Sequence, residues 1–377
     1  MSAKNQRQSK IPCVYMRGGT SKAVFFHKED LPADERSWDE LFLKVMGSPD
    51  VKQIDGMGGT VSSTSKIAVI SKSGRPDADV DFSFFQVAVD QPTVTHNVSC
   101  GNIGSAVGPY AIDEGLVEAV EPETTVRIYN TNTKKYLEEV VQTCEGQACV
   151  YGDAQIQGVP GTGSPVQEIF LDPAGPCTGK LFPTGNAKDT LEIPGFGPLE
   201  VTVIDSGTLV VLLKAESVGL TGREQQELNG DAEKMELLET IRGLVAQKVG
   251  LVSDWRLARK ETPAAPDLAF LSKPQDYEAL GGGVVKAEDM DLCVRALSMG
   301  KVHKAYPITV TVATASAAVL DGTVAAELLP KKKWTIIRLG HASGVMDVQV
   351  KAAEGRIEKI GVLRTARRIM DGNVYIR

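Results

Sequence analysis

Two side chains in this sequence are of types that move protons, and each stands where local structure changes its chemistry. Cys100 precedes the small-residue run Gly101-Asn-Ile-Gly-Ser-Ala-Val107, which reads as a helix passing close to surrounding backbone. Peptide dipoles and unpaired N–H groups at a helix start favour a thiolate, the basic and nucleophilic form of cysteine. A buried structural thiol is the competing reading. Lys66 ends the hydroxyl run Ser62-Ser63-Thr64-Ser65 and precedes the apolar Ile67-Ala-Val-Ile70, which places its ammonium at a strand start, partly desolvated. Desolvation makes a lysine a usable acid or base; a solvated strand-end lysine is the alternative. A Ser/Lys hydrolase would also use Ser65 and Lys66, but it needs a serine fixed on a turn and aimed at an oxyanion site, and nothing in the sequence demands one.

Glycine-rich and small polar clusters surround these two residues in the chain: Arg17-Gly-Gly-Thr20-Ser21-Lys22, Asp55-Gly-Met-Gly58-Gly59-Thr60, Ser99-Cys-Gly101-Asn102 and Gly340-His-Ala-Ser343-Gly344. No glycine-lysine pair is followed by Ser or Thr, and none of the clusters has dinucleotide spacing between a strand and a long helix, so a nucleotide is not indicated. Exposed backbone N–H groups with hydroxyls alongside suit carboxylates. Gly101 allows close approach of a substrate, and Asn102 either holds an oxygen or ends the turn. Met299-Gly-Lys301-Val-His303-Lys304 adds a further polar group ahead of an expected strand, His303 being an acid, a base, an anion donor or a structural histidine.

The elements that position these groups are mostly short β-runs, with candidates at 80–89, 125–129, 200–204, 208–213, 334–339, 345–350 and 356–363. Without a long alternation of strand and helix, antiparallel α+β fits better than a parallel sheet. Two outer helices are legible, at 35–46 closed by Gly47 and at 231–249. The run after Cys100 and the run Ala313–Leu320 form a second kind of helix, made of small residues, one in each half of the chain. The pairing implies two halves of one architecture, each a curved sheet around a central helix. Pro109 would end or kink the first of these helices. A stretch dense in Gly and Pro from 158 to 197 places the boundary near residue 187, giving domains 1–187 and 188–377, with the final strand free to return to the first.

Composition narrows the function further. The 377 residues carry 41 Lys+Arg against 48 Asp+Glu, a net charge of −7, so a nucleic-acid role is not expected and any anion site has to concentrate positive charge locally. The longest weakly polar stretch, 308–320, is too short and too rich in hydroxyls to span a membrane. The first ten residues lack the apolar run of a secretory signal, so a cytoplasmic, soluble protein is expected. The six cysteines are sparse and read as reduced thiols. Cys144 and Cys149 lack the second pair a zinc site needs, so no metal is expected.

Taken in order, these strings resemble the PrpF-like isomerases of the diaminopimelate-epimerase-like superfamily. The matching segments are 17–22, 47–50, 53–59, 62–66, 100–102 with 106–109, 298–301 with 303–305, 340–344 and 364–368. The resemblance implies two epimerase-like domains with the active site in the cleft between them, and a cofactor-independent isomerase of unsaturated tricarboxylates. Aconitate or 2-methylaconitate is the expected substrate, a 4-oxalomesaconate or methylitaconate tautomerase is the alternative within the same chemistry, and a non-catalytic tricarboxylate-binding accessory protein is the alternative of another class. The resemblance implies Lys66 and Cys100 as the acid/base pair, with carboxylates held by Arg17, Thr20, Ser21, Gly58, Gly59, Ser62 to Ser65, Gly101, Asn102, Lys301, His303, Thr314 and Ser343. A homodimer is compatible with it. The sequence departs from the pattern at Ala313, which aligns where two-thiol relatives carry a second cysteine at the start of the second central helix, and at Val310 and Asp267.

Overall fold

In a computed structural model, residues 8–96, 98–331 and 333–377 are described. By internal contacts the chain divides into two units, one running to Glu168 and including Arg364–Arg377, the other Ile169–Leu363.

The first unit begins with a hairpin, β1 (Ser9–Gly18) and β2 (Ser21–His27), with Gly18 opposite Ser21. β2 runs parallel to β3 (Lys66–Lys72), with Val24 beside Ile67. β3 pairs antiparallel with β4 (Val80–Val87), which lies parallel to the strand Glu123–Asn130; that strand in turn pairs antiparallel with Lys135–Cys144. The strand Pro165–Leu171 joins Lys135–Cys144 to the last strand of the chain, Arg356–Ile376, whose end pairs with β1. Eight strands thus close into a barrel.

The second unit repeats the scheme. Gly197–Ser206 and Thr208–Lys214 form a hairpin, Asp267–Ser272 lies parallel to the second of these, and Leu292–Ser298 is antiparallel to Asp267–Ser272. Ile336–His341 is then parallel and Gly344–Ala353 antiparallel. Each unit therefore contains parallel joints beside antiparallel ones, where pattern alone suggested antiparallel pairing. The parallel joints occur where helices intervene in the chain, because a parallel neighbour needs a crossover longer than a tight turn.

The outer helices fill those crossovers. Trp38–Met46 buries Trp38, Phe42, Val45 and Met46, and stops at Gly47, whose φ of 72° is a left-handed end that glycine adopts without strain. Phe42 stacks on Phe26 and meets Phe85 edge-on, contributing roughly 2 kcal/mol or more by burial. Ala232–Lys248 packs Leu238, Ile241 and Val245 onto the second sheet, and its N-cap Asp231 accepts from the Lys234 N–H.

The central segments differ from the sequence expectation in two ways. The run after Cys100 forms two short helices, Gly101–Gly104 and Val107–Asp113, broken at Ser105-Ala106 and not at Pro109. Pro109 lies in the first turn of the second, where an N–H has no intrahelical acceptor to lose. In the other half the helix spans Ile308–Ala318 and is buried throughout, so Ala313 stands mid-helix rather than at its start, and the group at 299–304 leads into a helix, not a strand. The β-branched run Ile-Thr-Val-Thr-Val312 has strand propensity, which complete burial overrides.

Residue 187 falls inside the second unit. The Gly- and Pro-rich stretch is not a linker: it contains the strand Pro165–Leu171, and the loop after it is tied down by Asp205, whose Oδ2 accepts from the Cys177 and Thr178 N–H groups and the Thr178 hydroxyl. No helix among the described residues is long and apolar enough to cross a membrane.

Candidate active site

Lys66 opens β3 with its side chain turned inward, 7% exposed. Its Nζ donates to Gln86 Oε1 at 2.5 Å and lies 5.1 Å from the centre of the Phe84 ring. Gln86 is fixed by its amide nitrogen, which donates to the carbonyls of Ser62 and Ser65 at 3.1 and 3.0 Å. The lysine is thus held by a neutral acceptor and a ring face, and among the described residues no carboxylate pairs with it.

The loop before Lys66 is organised by Gln53. Its Nε2 donates to Ser65 Oγ at 2.7 Å and to Ser48 Oγ at 3.0 Å, while its Oε1 accepts from the Thr60 N–H. Gly58 is required here, since a Cβ would fall 2.2 Å from the Gln53 side chain. The Gly58 and Gly59 amides, expected to face a carboxylate, instead donate to Met46 O and Thr64 O. Ser65 is fully buried and spent on Gln53. Thr64 Oγ1 donates to Val61 O, and Ser62 and Ser63 stand on the accessible side of the turn Ser62–Thr64.

Cys100 occupies the cap position of Gly101–Gly104, extended at φ −135° and ψ 102°, and is half-buried. Asn102 anchors this turn to the β1–β2 hairpin: its Oδ1 accepts from the Thr20 N–H at 3.2 Å and from Arg364 Nη2 at 3.1 Å. A Cβ on Gly18 or Gly19 would fall 2.2 or 2.0 Å from Asn102 oxygens, so those glycines permit the contact. Arg17 commits Nη1 to Gly19 O, Thr365 O and Thr365 Oγ1, bracing the hairpin, and Ser21 is buried at its end.

Because β2 and β3 are parallel with Val24 beside Ile67, Ser21 and Lys66 lie at the same end of the sheet, on neighbouring strands about 5 Å apart. The hairpin turn that meets Asn102 and the strand start that carries Lys66 are therefore adjacent edges of one patch. Asn130 and Asn132 join the two sides: Asn132 bonds both backbone groups of Phe84 and donates to His96 O, while Asn130 Nδ2 donates to Ser99 Oγ. They hold the segment leading to Cys100 and the ring beneath Lys66 in one frame.

The second unit holds a separate set of the expected residues. Ser343 Oγ donates to Lys304 O at 2.6 Å, drawing the Ser343 turn to the His303 segment; Lys301 is exposed. Thr314 is fully buried in the central helix and shares a hydrogen bond with Tyr306 Oη at 2.7 Å. Asp267 is buried as well, with its carboxyl pushed up to about 7 by desolvation against a Ser298 hydrogen bond and the Arg242 charge. Val310 lies wholly inside the helix.

The model of the PrpF protein family matches residues 8–377. The chain belongs to the PrpF family. A 3-methylitaconate isomerase of Eubacterium barkeri is 43% identical over 98% of both chains. A 2-methyl-aconitate isomerase of Cupriavidus necator is 41% identical over 98% of both, and a (4E)-oxalomesaconate Delta-isomerase of Novosphingobium is 39% identical over the full length of both. Among solved structures, a methylitaconate-delta-isomerase superposes with a TM-score of 0.85 at 43% identity, covering 98% of this chain and 96% of that one. A probable proline racemase from Agrobacterium radiobacter, 14% identical with a TM-score of 0.56 over 97% of this chain and 92% of its own, shares the fold alone. With full-length relatives at 39–43% identity named isomerases, this chain is an isomerase.

Sequence reading singled out Lys66, Cys100 and Asn102, but gave no role to the residues that fix them. Gln53 and Arg364 lay within recognised strings and Gln86, Asn130 and Asn132 did not. Gln86 had a signal, a polar side chain after Phe84-Phe85 at a strand end, whereas Asn130 and Asn132 close a polar strand and its turn and had none.

Proposed function

We propose that this PrpF protein isomerises unsaturated di- or tricarboxylates by allylic proton transfer between Cys100 and Lys66, without a cofactor. One group takes a proton from a carbon next to a carboxylate and conjugated with the C=C bond. The dienolate that forms is reprotonated at another carbon, or rotates and is reprotonated at the same one, and these outcomes give a double-bond shift or a cis-trans change. The negative charge accumulating on the carboxylate oxygens is met by preorganised donors, which is where most of the barrier reduction arises in such steps.

What supports the reading is the convergence of Lys66 and the Cys100–Asn102 turn on adjacent edges of the β2–β3 end. Among the described residues Lys66 donates to a neutral amide acceptor, Gln86, and to no carboxylate. Thr20, Ser62 and Ser63 supply hydroxyls at the same edges. The relatives act on three different unsaturated acids at 39–43% identity, so overall similarity does not choose among them. Parallel proton NMR time courses with cis-aconitate, 2-methylaconitate, methylitaconate and 4-oxalomesaconate test the reading. One of these isomerises, and none isomerising contradicts it.

A further inference from the structure

Two glutamates lie inside the first unit's barrel, both completely buried. Glu139 points inward from Lys135–Cys144 between Leu137 and Val141, and Glu168 from Pro165–Leu171 between Val166 and Phe170. Both press on the central segment at glycines four residues apart. A Cβ on Gly104 would fall 2.6 Å from Glu168 Oε1, and one on Gly108 2.6 Å from Glu139 Oε2. Glu139 Oε2 accepts from the Gly108 N–H at 2.8 Å, whereas Glu139 Oε1 and both oxygens of Glu168 have no hydrogen-bond donor among the described residues. An ionised carboxylate without donors in such a place costs several kcal/mol, and the neutral acid costs far less.

Arg364 is the cation of this pocket, and it does not turn its donors on Glu168. Its Nη2 goes to Asn102 Oδ1 and its Nε has no acceptor. The groups that act electrostatically on Glu168 are Glu139 on the neighbouring strand, Arg364 on the final strand and Cys100 at the head of the central segment, with Arg17 behind Arg364. Burial pushes both glutamates well above the ordinary carboxylate range, and their proximity raises Glu168 further.

We propose that Glu168 is a positioning residue held as a neutral acid beside Glu139, and that its neutrality leaves the Arg364 charge to act on Cys100 and Asn102. An ionised Glu168 would cancel that charge at Cys100 and Asn102. The inference rests on the proposed role of Cys100, but its test does not depend on turnover.

The experiment combines infrared spectroscopy of the full chain in H2O and D2O with alkylation of Cys100 by iodoacetamide, read at its own peptide by mass spectrometry. At neutral pH the wild type shows the carbonyl stretch of a protonated carboxylic acid, weakened in Glu168→Gln. Cys100 alkylation in Glu168→Gln stays within twofold of wild type, and Arg364→Gln slows it at least tenfold. Absence of the protonated-acid band in wild type overturns the proposal, as does alkylation more than tenfold faster in Glu168→Gln, since that would mean an anion had been removed. Glu139 and Asp267 also hold protons near this pH, so the band belongs to Glu168 only as far as Glu168→Gln weakens it. An undiminished band in folded Glu168→Gln overturns the proposal too, and absence of any band in wild type does so whether or not the variant folds. Wild-type turnover by Cys100→Ala would remove the catalytic role of Cys100 while leaving the band in place, so the two failures are distinct.

Discussion

Lys66 Nζ donates to Gln86 Oε1 at 2.5 Å, and the same Gln86 side chain holds the carbonyls of Ser62 and Ser65. One amide therefore fixes both the amine and the hydroxyl-bearing turn before it. Gln86→Ala frees the lysine and is expected to lower kcat about tenfold to a hundredfold, with little change in fold by circular dichroism. Gln86→Glu supplies a carboxylate that holds the lysine protonated and costs more than the alanine. Equal activity of the two variants would show that Gln86 does not govern the charge on Lys66.

Gly104→Ala and Gly108→Ala place a methyl 2.6 Å from a glutamate oxygen. Each is expected to destabilise by about 1–3 kcal/mol through overpacking. Shortening the opposing side chain, as in Gly104→Ala with Glu168→Asp, recovers part of the loss. Denaturant midpoints of the single and double variants measure the coupling, and strict additivity would refute the contact.

Thr314→Val removes the bond to Tyr306 Oη and costs about 1 kcal/mol. KM is unaffected, because the residue is sealed in the core. A several-fold rise in KM with unchanged stability would return Thr314 to the substrate site.

Asp267 gives a pH signature. Its folded value of about 7 lies above the ordinary carboxylate value of about 3.9, so the folded state keeps a proton that the unfolded chain releases. Stability from this group is therefore full below pH ~4, falls as pH rises, and levels off above pH 7. Asp267→Asn removes that slope, which thermal melts between pH 4 and 8 record; unchanged slopes would contradict the burial argument.

How much of this was legible in the sequence depends on what each residue had to signal. The outer helices showed because Trp38, Phe42 and Val45, or Leu238, Ile241 and Val245, recur at helical spacing, with Gly47 ending the first and Asp231 starting the second. The repeated architecture showed through two small-residue runs. Its parallel joints did not, since they depend on which strands meet across long connections. Glu168 was missed because its strand lay in the Gly- and Pro-dense stretch, and Glu139 because the strand at 135–144 was not among the candidates. Yet Leu137-x-Glu139-x-Val141 and Val166-x-Glu168-x-Phe170 alternate with period two and put an acid on the apolar face, a signal of a buried carboxyl. The Gly58 and Gly59 amides looked free, because partners such as Met46 O and Thr64 O become visible only once the loop is folded.

The account stands or falls on proton transfer at Cys100 and Lys66. Incubating the enzyme in D2O with the unsaturated acid it isomerises, and following the allylic carbon by NMR, should show deuterium entering with the wild type. Cys100→Ala and Lys66→Ala should each slow that entry about a thousandfold. Isomerisation without any solvent deuterium in the product, or wild-type exchange in Cys100→Ala, would contradict it.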